Sequence, residues 1–382
     1  MTNDLLKIGF KINREPFIST SHTTYTNLTR SFLRGVLIKQ KEVPLLSNGI
    51  QRYWGDLVHN LIEDSSKGKF QDQDHIEEEF NLRIKEISQE INKNRLEKVF
   101  LPFEKHIKLF GVQKKIAIQK AKNCFKINKS KEQKNTKLSK IKMLFGREIT
   151  VSSKDNLVRG KIDEVKKQGE EIHLFDLKTG EIKEKESSEI KKSIRDQLYL
   201  YAFLYEQEHS IWPNKLFVED SRGKKHLIEW LKEDAKLHFE EVKNQLEEIN
   251  DLLGSDLNDE ELTKMLCKNN NQEECKCEEF RPKCPVHFNN LKNKDNFRDT
   301  EYLDVIGHLG KIEIDNDHAE LEIIPIKEQD LLIVKKMSLS KLPRIELLKK
   351  DALIGLFNMR LDNFNGFFDE LPNSRGYIYS DE

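Results

Sequence analysis

Two stretches of this sequence set acids and a lysine where they could act together. Residues 157–165 (LVRGKIDEV) and 172–178 (IHLFDLK) read as strands, parted by a polar turn containing Gly169. Side chains alternate faces along a strand, so Asp176 and Lys178 share a face with Ile172 and Leu174. A turn centred near Gly169 pairs the strands antiparallel and brings Asp163 opposite Phe175 or Asp176, with Cα atoms roughly 4.5–5.5 Å apart. Two carboxylates that close repel unless a divalent cation or a proton sits between them. An ammonium beside them completes a site suited to a hard, oxygen-seeking metal and an attacking water. The D-x-K triplet alone is weak, since Asp234-Ala235-Lys236 also fits it inside an obvious helical stretch. Only Asp176 lies on an apolar strand after a hairpin that carries a second aspartate. The plain alternative is a surface strand with a salt bridge.

Asp163 followed by Asp176-Leu177-Lys178 resembles the PD-(D/E)xK nuclease superfamily. Gln197 and Tyr201, in RDQLYLYAFLYEQ, match the QxxxY element of its RecB-like branch, and Gly55 to His59 match the upstream GxxxH element. That branch includes helicase-linked recombination nucleases and the small exonucleases of CRISPR adaptation modules. The resemblance spans about Ser19 to Pro285 around a poorly matching insert. It implies an α/β, restriction-endonuclease-like core, with a central mixed sheet flanked by helices, and a Mg²⁺- or Mn²⁺-dependent deoxyribonuclease. By the same resemblance His59, Asp163, Asp176 and the Leu177 carbonyl hold the ion, and Lys178 positions or deprotonates the water. Gln197 and Tyr201 then line the site and help place the lysine or the phosphate. DNA repair, recombination or anti-phage defence is the implied setting, with single- or double-stranded DNA as substrate and a helicase, ATPase or defence protein as partner. The rival is a catalytically silent DNA-binding subunit that keeps the nuclease fold as a scaffold. No GxxxxGK[ST] phosphate loop occurs, so a P-loop motor is not expected in this chain.

Cys267, Cys275, Cys277 and Cys284 fall within eighteen residues of a chain that has five cysteines in all. Such clustering suits a metal site in a reducing compartment better than a disulfide scaffold. RecB-like nucleases often hold an iron–sulfur cluster near this point, on three closely spaced cysteines plus one from before the core. This chain departs from that pattern: it has C-x-C where C-x-x-C is commoner and no cysteine near residues 20–40, so Cys267 would be the fourth ligand. A [4Fe–4S] cluster and a structural four-thiolate Zn²⁺ fit the same residues, and both stay open here. Cys124, alone, reads as an ordinary thiol.

The elements that must hold these groups follow from periodicity. Ser19-Thr20-Ser21 offers capping hydroxyls to an amphipathic stretch ending near Lys39. A helix over about 50–62 carries Gly55 and His59 on one face. Helical spacing returns over 76–99 and, beyond Pro102, through Phe125; polar residues 128–140 predict a loop. Residues 194–207 form a helix with Gln197 and Tyr201 one turn apart. A second hairpin spans 215–218 and 224–230, and a helix over 232–253 stops at Gly254. After Lys294, short alternating runs predict about five strands of an antiparallel, OB-like β-barrel. The expected organisation is a nuclease domain over 1–290, with a helical insert at about 65–147 and the cysteine cluster at 267–284, then a small barrel over 295–382.

The charge balance points to the partner. Between Lys105 and Arg147 lie fourteen Lys or Arg and one acid, Glu132, so that window carries +13 within a chain of net charge -1. Such segregation favours a nucleic-acid backbone over a neutral partner. With 34% charged residues and no apolar run near the roughly 20 residues that span a bilayer, a cytoplasmic protein with no membrane contact is expected.

Overall fold

The computed structural model describes residues 5–21, 24, 31–47, 49–94, 96–132, 144–184, 187, 189–220, 222–268, 278–293, 302–327, 331–343, 347–362 and 367–379. The chain opens with β1 (Thr20–Ser21) and α1 (Phe32–Lys39), followed by α2 (Gln51–Ser66), α3 (Gln73–Lys93) and α4 (Phe110–Glu132). It enters a sheet through β2 (Gly146–Ser152), β3 (Val158–Gln168) and β4 (Glu171–Leu177), crosses by α5 (Lys192–His209) to β5 (Lys215–Glu219), and returns on β6 (Lys225–Ile228). Then come α6 (Lys232–Leu253), α7 (Asp259–Lys268) and α8 (Pro285–Lys292). The last five strands are β7 (Tyr302–Asp315), β8 (His318–Pro325), β9 (Leu332–Ser338), β10 (Leu353–Asp362) and β11 (Phe367–Ile378). Among the described residues no helix is long and apolar enough to cross a membrane.

The chain forms two compact units. One comprises residues 16–26 and 49–250, the other residues 1–15, 27–48 and 251–382. The first unit is built on a mixed six-stranded sheet of order β1-β3-β4-β5-β6, with β2 on β3. β4 and β5 are parallel and joined by α5, the helical crossover that parallel neighbours require. Ile162, Val165, Leu174 and Leu216 pack with Leu198, Tyr201 and Tyr205 of α5 to form one core. A separate core holds α2, α3 and α4 together through Trp54, Phe80, Ile118 and Phe125. The start of α3 is set by Asp72, whose carboxylate accepts the Asp74 and His75 N–H groups at 2.9 Å each.

The second unit closes its strands into a barrel, β10-β11-β9-β8-β7, completed by pairing of β10 with β7. Every pairing is antiparallel except β9 with β11. Leu46 and Leu291 from outside the barrel join Ile306, Leu321, Leu356 and Phe368 in its core. Two ionic contacts, the first buried and the second half-buried, tie this unit together. Arg34 of α1 grips Glu279 through two hydrogen bonds of 3.0 and 3.1 Å. Asp304 of β7 accepts from His287 Nε2 at 2.9 Å and lies 2.9 Å from Arg281 Nε.

Two local expectations change. Thr20 and Ser21 form a strand parallel to Val158 and Arg159, and Ser21 Oγ accepts the Thr24 N–H at 3.3 Å. The cap of α1 is Ser31, whose hydroxyl accepts from Arg34 N at 3.2 Å. α4 continues to Glu132, past the expected loop start at residue 128, because lysines have good helix propensity and nothing breaks the run. The remainder of that polar stretch, residues 133–143, lies outside the described residues.

Candidate metal-binding active site

Strand register brings the acids together. β3 and β4 pair Glu164 with Phe175 and Val165 with Leu174, so continuing the ladder by one residue sets Asp163 against Asp176. On the other edge of β3, Arg147 pairs with Glu164 and Ile149 with Ile162, which sets Glu148 against Asp163. Three carboxylates thus lie in a row across three adjacent strands. The ladder is irregular at that row. Ile162 and Val165, an odd number of residues apart, both enter the core beneath α5, and Glu148 adopts a φ of 56°. A distortion of this kind re-aims side chains, as bulges beside active sites do.

Helix α2 supplies the imidazole. His59 Nε2 lies 3.2 Å from the Leu177 carbonyl oxygen, and Nδ1 lies 4.0 Å from Asp163 Oδ1. One ligand atom each from His59, Glu148 and Asp163 falls within 4.8 Å of the other two. Asp163 is fixed by the Leu177 N–H, which donates to Oδ2 at 2.6 Å.

Helix α5 supplies the support for the lysine. Lys178 Nζ lies 2.8 Å from Asp176 Oδ2, a buried oxygen that accepts no hydrogen bond. The same ammonium donates to Gln197 Oε1 at 2.6 Å, and Gln197 Nε2 donates to the Tyr201 hydroxyl at 2.8 Å. Gln197 and Tyr201 can reach inward because Gly160 lies beneath the tyrosine ring. A methyl group at Gly160 would come within 2.8 Å of Tyr201 Cε1 and 3.0 Å of Cδ1. Gly55, by contrast, has room: a methyl there meets Thr179 Oγ1 at an ordinary 3.5 Å.

The electrostatics fit a divalent cation. Burial, reinforced by the charge of Asp176, pushes the Asp163 carboxyl well above the usual carboxylate range. Burial lowers the pKa of His59 against the pull of Asp176, which favours the neutral imidazole that binds metals. Burial also raises the Tyr201 pKa, so the phenol keeps its proton. A buried carboxyl that resists ionisation beside other acids is short of positive charge, and a set of carboxylate oxygens with one imidazole suits a hard divalent ion better than a thiophilic one. A cavity of about 150 Å³ adjoins these groups, lined by His59, Glu148, Asp163, Lys120, Arg147 and Cys124. That is room for about five waters at bulk density. A wider groove of about 910 Å³ lies along α2 and α3, lined by Arg52, Asp56 and Arg83, and contains none of the three grouped ligands.

All the residues expected in the nuclease site (His59, Asp163, Asp176, Leu177, Lys178, Gln197 and Tyr201) lie in this one constellation. Two further residues were not foreseen. Glu148 stands among undistinguished strand residues, and only its cross-strand partner reveals it. Gly160, three positions before Asp163, shows its purpose only against a ring that is 41 residues away in sequence. In the second unit Cys267 and Cys284 are both buried, form no disulfide, and hold their sulfurs 3.8 Å apart. Cys275 and Cys277 lie outside the described residues.

A family model for the PD-(D/E)XK nuclease superfamily matches residues 20–287 of the chain. No curated protein matches it.

Proposed function

The chain belongs to the PD-(D/E)XK nuclease superfamily, and from that premise we propose that it is a Mg²⁺- or Mn²⁺-dependent deoxyribonuclease of the RecB-like branch. The observation that carries this reading is the meeting of His59, Glu148 and Asp163 beside an Asp176–Lys178 pair that Gln197 and Tyr201 hold in place. His59, Asp163, Asp176 and the Leu177 carbonyl are the expected holders of the ion, with Glu148 as a further carboxylate. When bound, the divalent cation neutralises the scissile phosphate and makes a water more acidic. Lys178 would orient the attacking water and balance charge building on the phosphate. Its place is set twice, by Asp176 on its own strand and by Gln197 on α5. Tyr201, protonated throughout, orients the Gln197 amide.

The strand order of the barrel supports an OB-like reading of its role. Counted from β7, the order is first, second, third, fifth, fourth and back to first, with the third and fifth strands parallel. OB barrels commonly take single-stranded nucleic acid, and we assign this one a substrate-contacting role. A motor or defence partner, in repair, recombination or anti-phage defence, is the matching context.

Cleavage of labelled single- and double-stranded DNA, with Mg²⁺ or Mn²⁺ and with EDTA, tests the proposal. Activity should vanish in EDTA and in D163N, fall about 10²–10⁴-fold in K178A, and in E148Q require about 10–100-fold more metal. Cleavage that survives chelation, or a K178A protein as fast as the wild type, would overturn it.

A further inference from the structure

Two lysines stand against the row of acids, one at each end. Lys178 Nζ lies 2.8 Å from Asp176 Oδ2 on β4. Lys161, two residues before Asp163 on β3, makes the matching contact with Glu148 Oε2 on β2. The same ammonium lies 3.4 Å from Glu63 Oε2. Glu63 is one turn beyond His59 on α2, so the helix that supplies the imidazole also holds this lysine. The Glu148 side chain is 13% exposed and that of Lys161 51%. The lysine therefore meets its acid at the rim of the site and is not part of a packed core.

These contacts limit the oxygens that can reach a metal. Glu148 Oε2 faces Lys161, Asp163 Oδ2 accepts the Leu177 N–H at 2.6 Å, and Asp176 Oδ2 faces Lys178. Each carboxylate keeps one further oxygen, and His59 adds an imidazole nitrogen. One hard ion with about six positions takes that set and still has room for water and a phosphate oxygen. Two ions about 3.5–4 Å apart would need a larger supply, and the oxygens that could furnish it face ammonium or amide groups.

Charge leads to the same count. Glu148, Asp163 and Asp176, all ionised, exceed Lys161 and Lys178 by one negative charge. The other charged residues of the cavity wall cancel in pairs, Arg147 with Glu164 at 3.2 Å and Lys120 with Glu219 at 3.1 Å. One divalent ion turns the excess into a single positive charge, which the one negative charge of a phosphodiester cancels. A second ion would leave two positive charges uncancelled in a half-buried site, where unbalanced charge is costly.

We propose that Lys161 is a resident cation of this site, standing at Glu148 where a second metal ion would bind, so that the chain works with a single divalent ion. The proposal rests on the nuclease reading and adds to it the number of ions. Lys161 is a positioning residue: it acts through Glu148, and Glu63 keeps its ammonium at hand when Glu148 turns an oxygen to the metal.

Mn²⁺ titration of the full-length chain, with the free ion counted by electron paramagnetic resonance and the D163N chain as the blank, tests this. The wild type and K161R should each bind one Mn²⁺ that D163N does not. K161Q, which removes the charge and keeps the length, should bind two, with the spin coupling of closely spaced ions, while its melting temperature stays near that of the wild type. A merely structural lysine would instead lower the melting temperature and leave the count unchanged. Two ions in the wild type, or one in a folded K161Q, would overturn the proposal and leave the nuclease reading intact. No ion in the wild type would overturn that reading and the proposal with it. The wild-type count decides the matter by itself if K161Q does not fold.

Discussion

Gly160 owes its place to the ring of Tyr201. Any larger residue would push into Cδ1 and Cε1 of that ring, and through it would disturb Gln197 and the lysine amide contact. G160A should therefore cost about 1–3 kcal/mol of stability, the usual penalty for overfilling a packed site. It should also lower kcat more than it raises KM, since the disturbed group acts on chemistry and not on DNA affinity. Thermal melting together with steady-state cleavage measures both; a G160A protein that melts and cleaves like the wild type would sever Gly160 from the site. Asp163, Asp176 and Lys178 were legible in the sequence because a hairpin and a two-residue period suffice to converge them. Glu148 was not, because its approach to Asp163 depends on which strand lies on the far edge of β3 and on a left-handed φ. Neither leaves a mark on local composition.

The helices and hairpins were mostly readable from hydrophobic spacing, and α6 ends where Gly254 stops it. β1 was not, since two residues are too few to display a period, and its hydroxyls carry a capping signal as well. Helix α4 shows how charge and packing share one element. Ala117, Ile118, Ala121, Cys124 and Phe125 face the helical core, while Lys120 leaves the basic set to pair with Glu219 at 3.1 Å. Arg147 is likewise taken by Glu164 at 3.2 Å. Cross-element pairing thus neutralises part of the positive window, which i,i+4 spacing alone could not do. Lys115 and Lys126 remain exposed on α4. If this helix contacts a DNA backbone, K115Q/K126Q should bind more weakly and lower the slope of log K against log salt by about 2. Filter-binding titrations across salt concentrations would measure it, and an unchanged slope would remove α4 from the DNA path.

Across the whole molecule, the grouping of segments is the property least visible in sequence. Nothing in the local pattern of residues 27–48 says that they join residues 251–382 and not the helices that immediately follow. The consequence is a stability coupling between distant parts of the chain. Residues 1–48 contribute Phe10, Phe32, Leu33, Leu37 and Leu46 as buried apolar side chains of the second unit. A chain ending at residue 250 would expose them and would leave Arg34 without Glu279, and breaking a buried pair of that kind costs roughly 3–5 kcal/mol. Such a fragment should aggregate or bind a hydrophobic dye; a monodisperse 1–250 fragment with a cooperative melt would refute the coupling. The same pair has a meaning in time. Arg34 leaves the ribosome 245 residues ahead of its acid. At about 5–20 residues per second the nascent arginine and the greasy helix around it wait roughly 12–49 s for their partner. Throughout that interval the growing polypeptide shows apolar surface of the kind that aggregates or that chaperones bind.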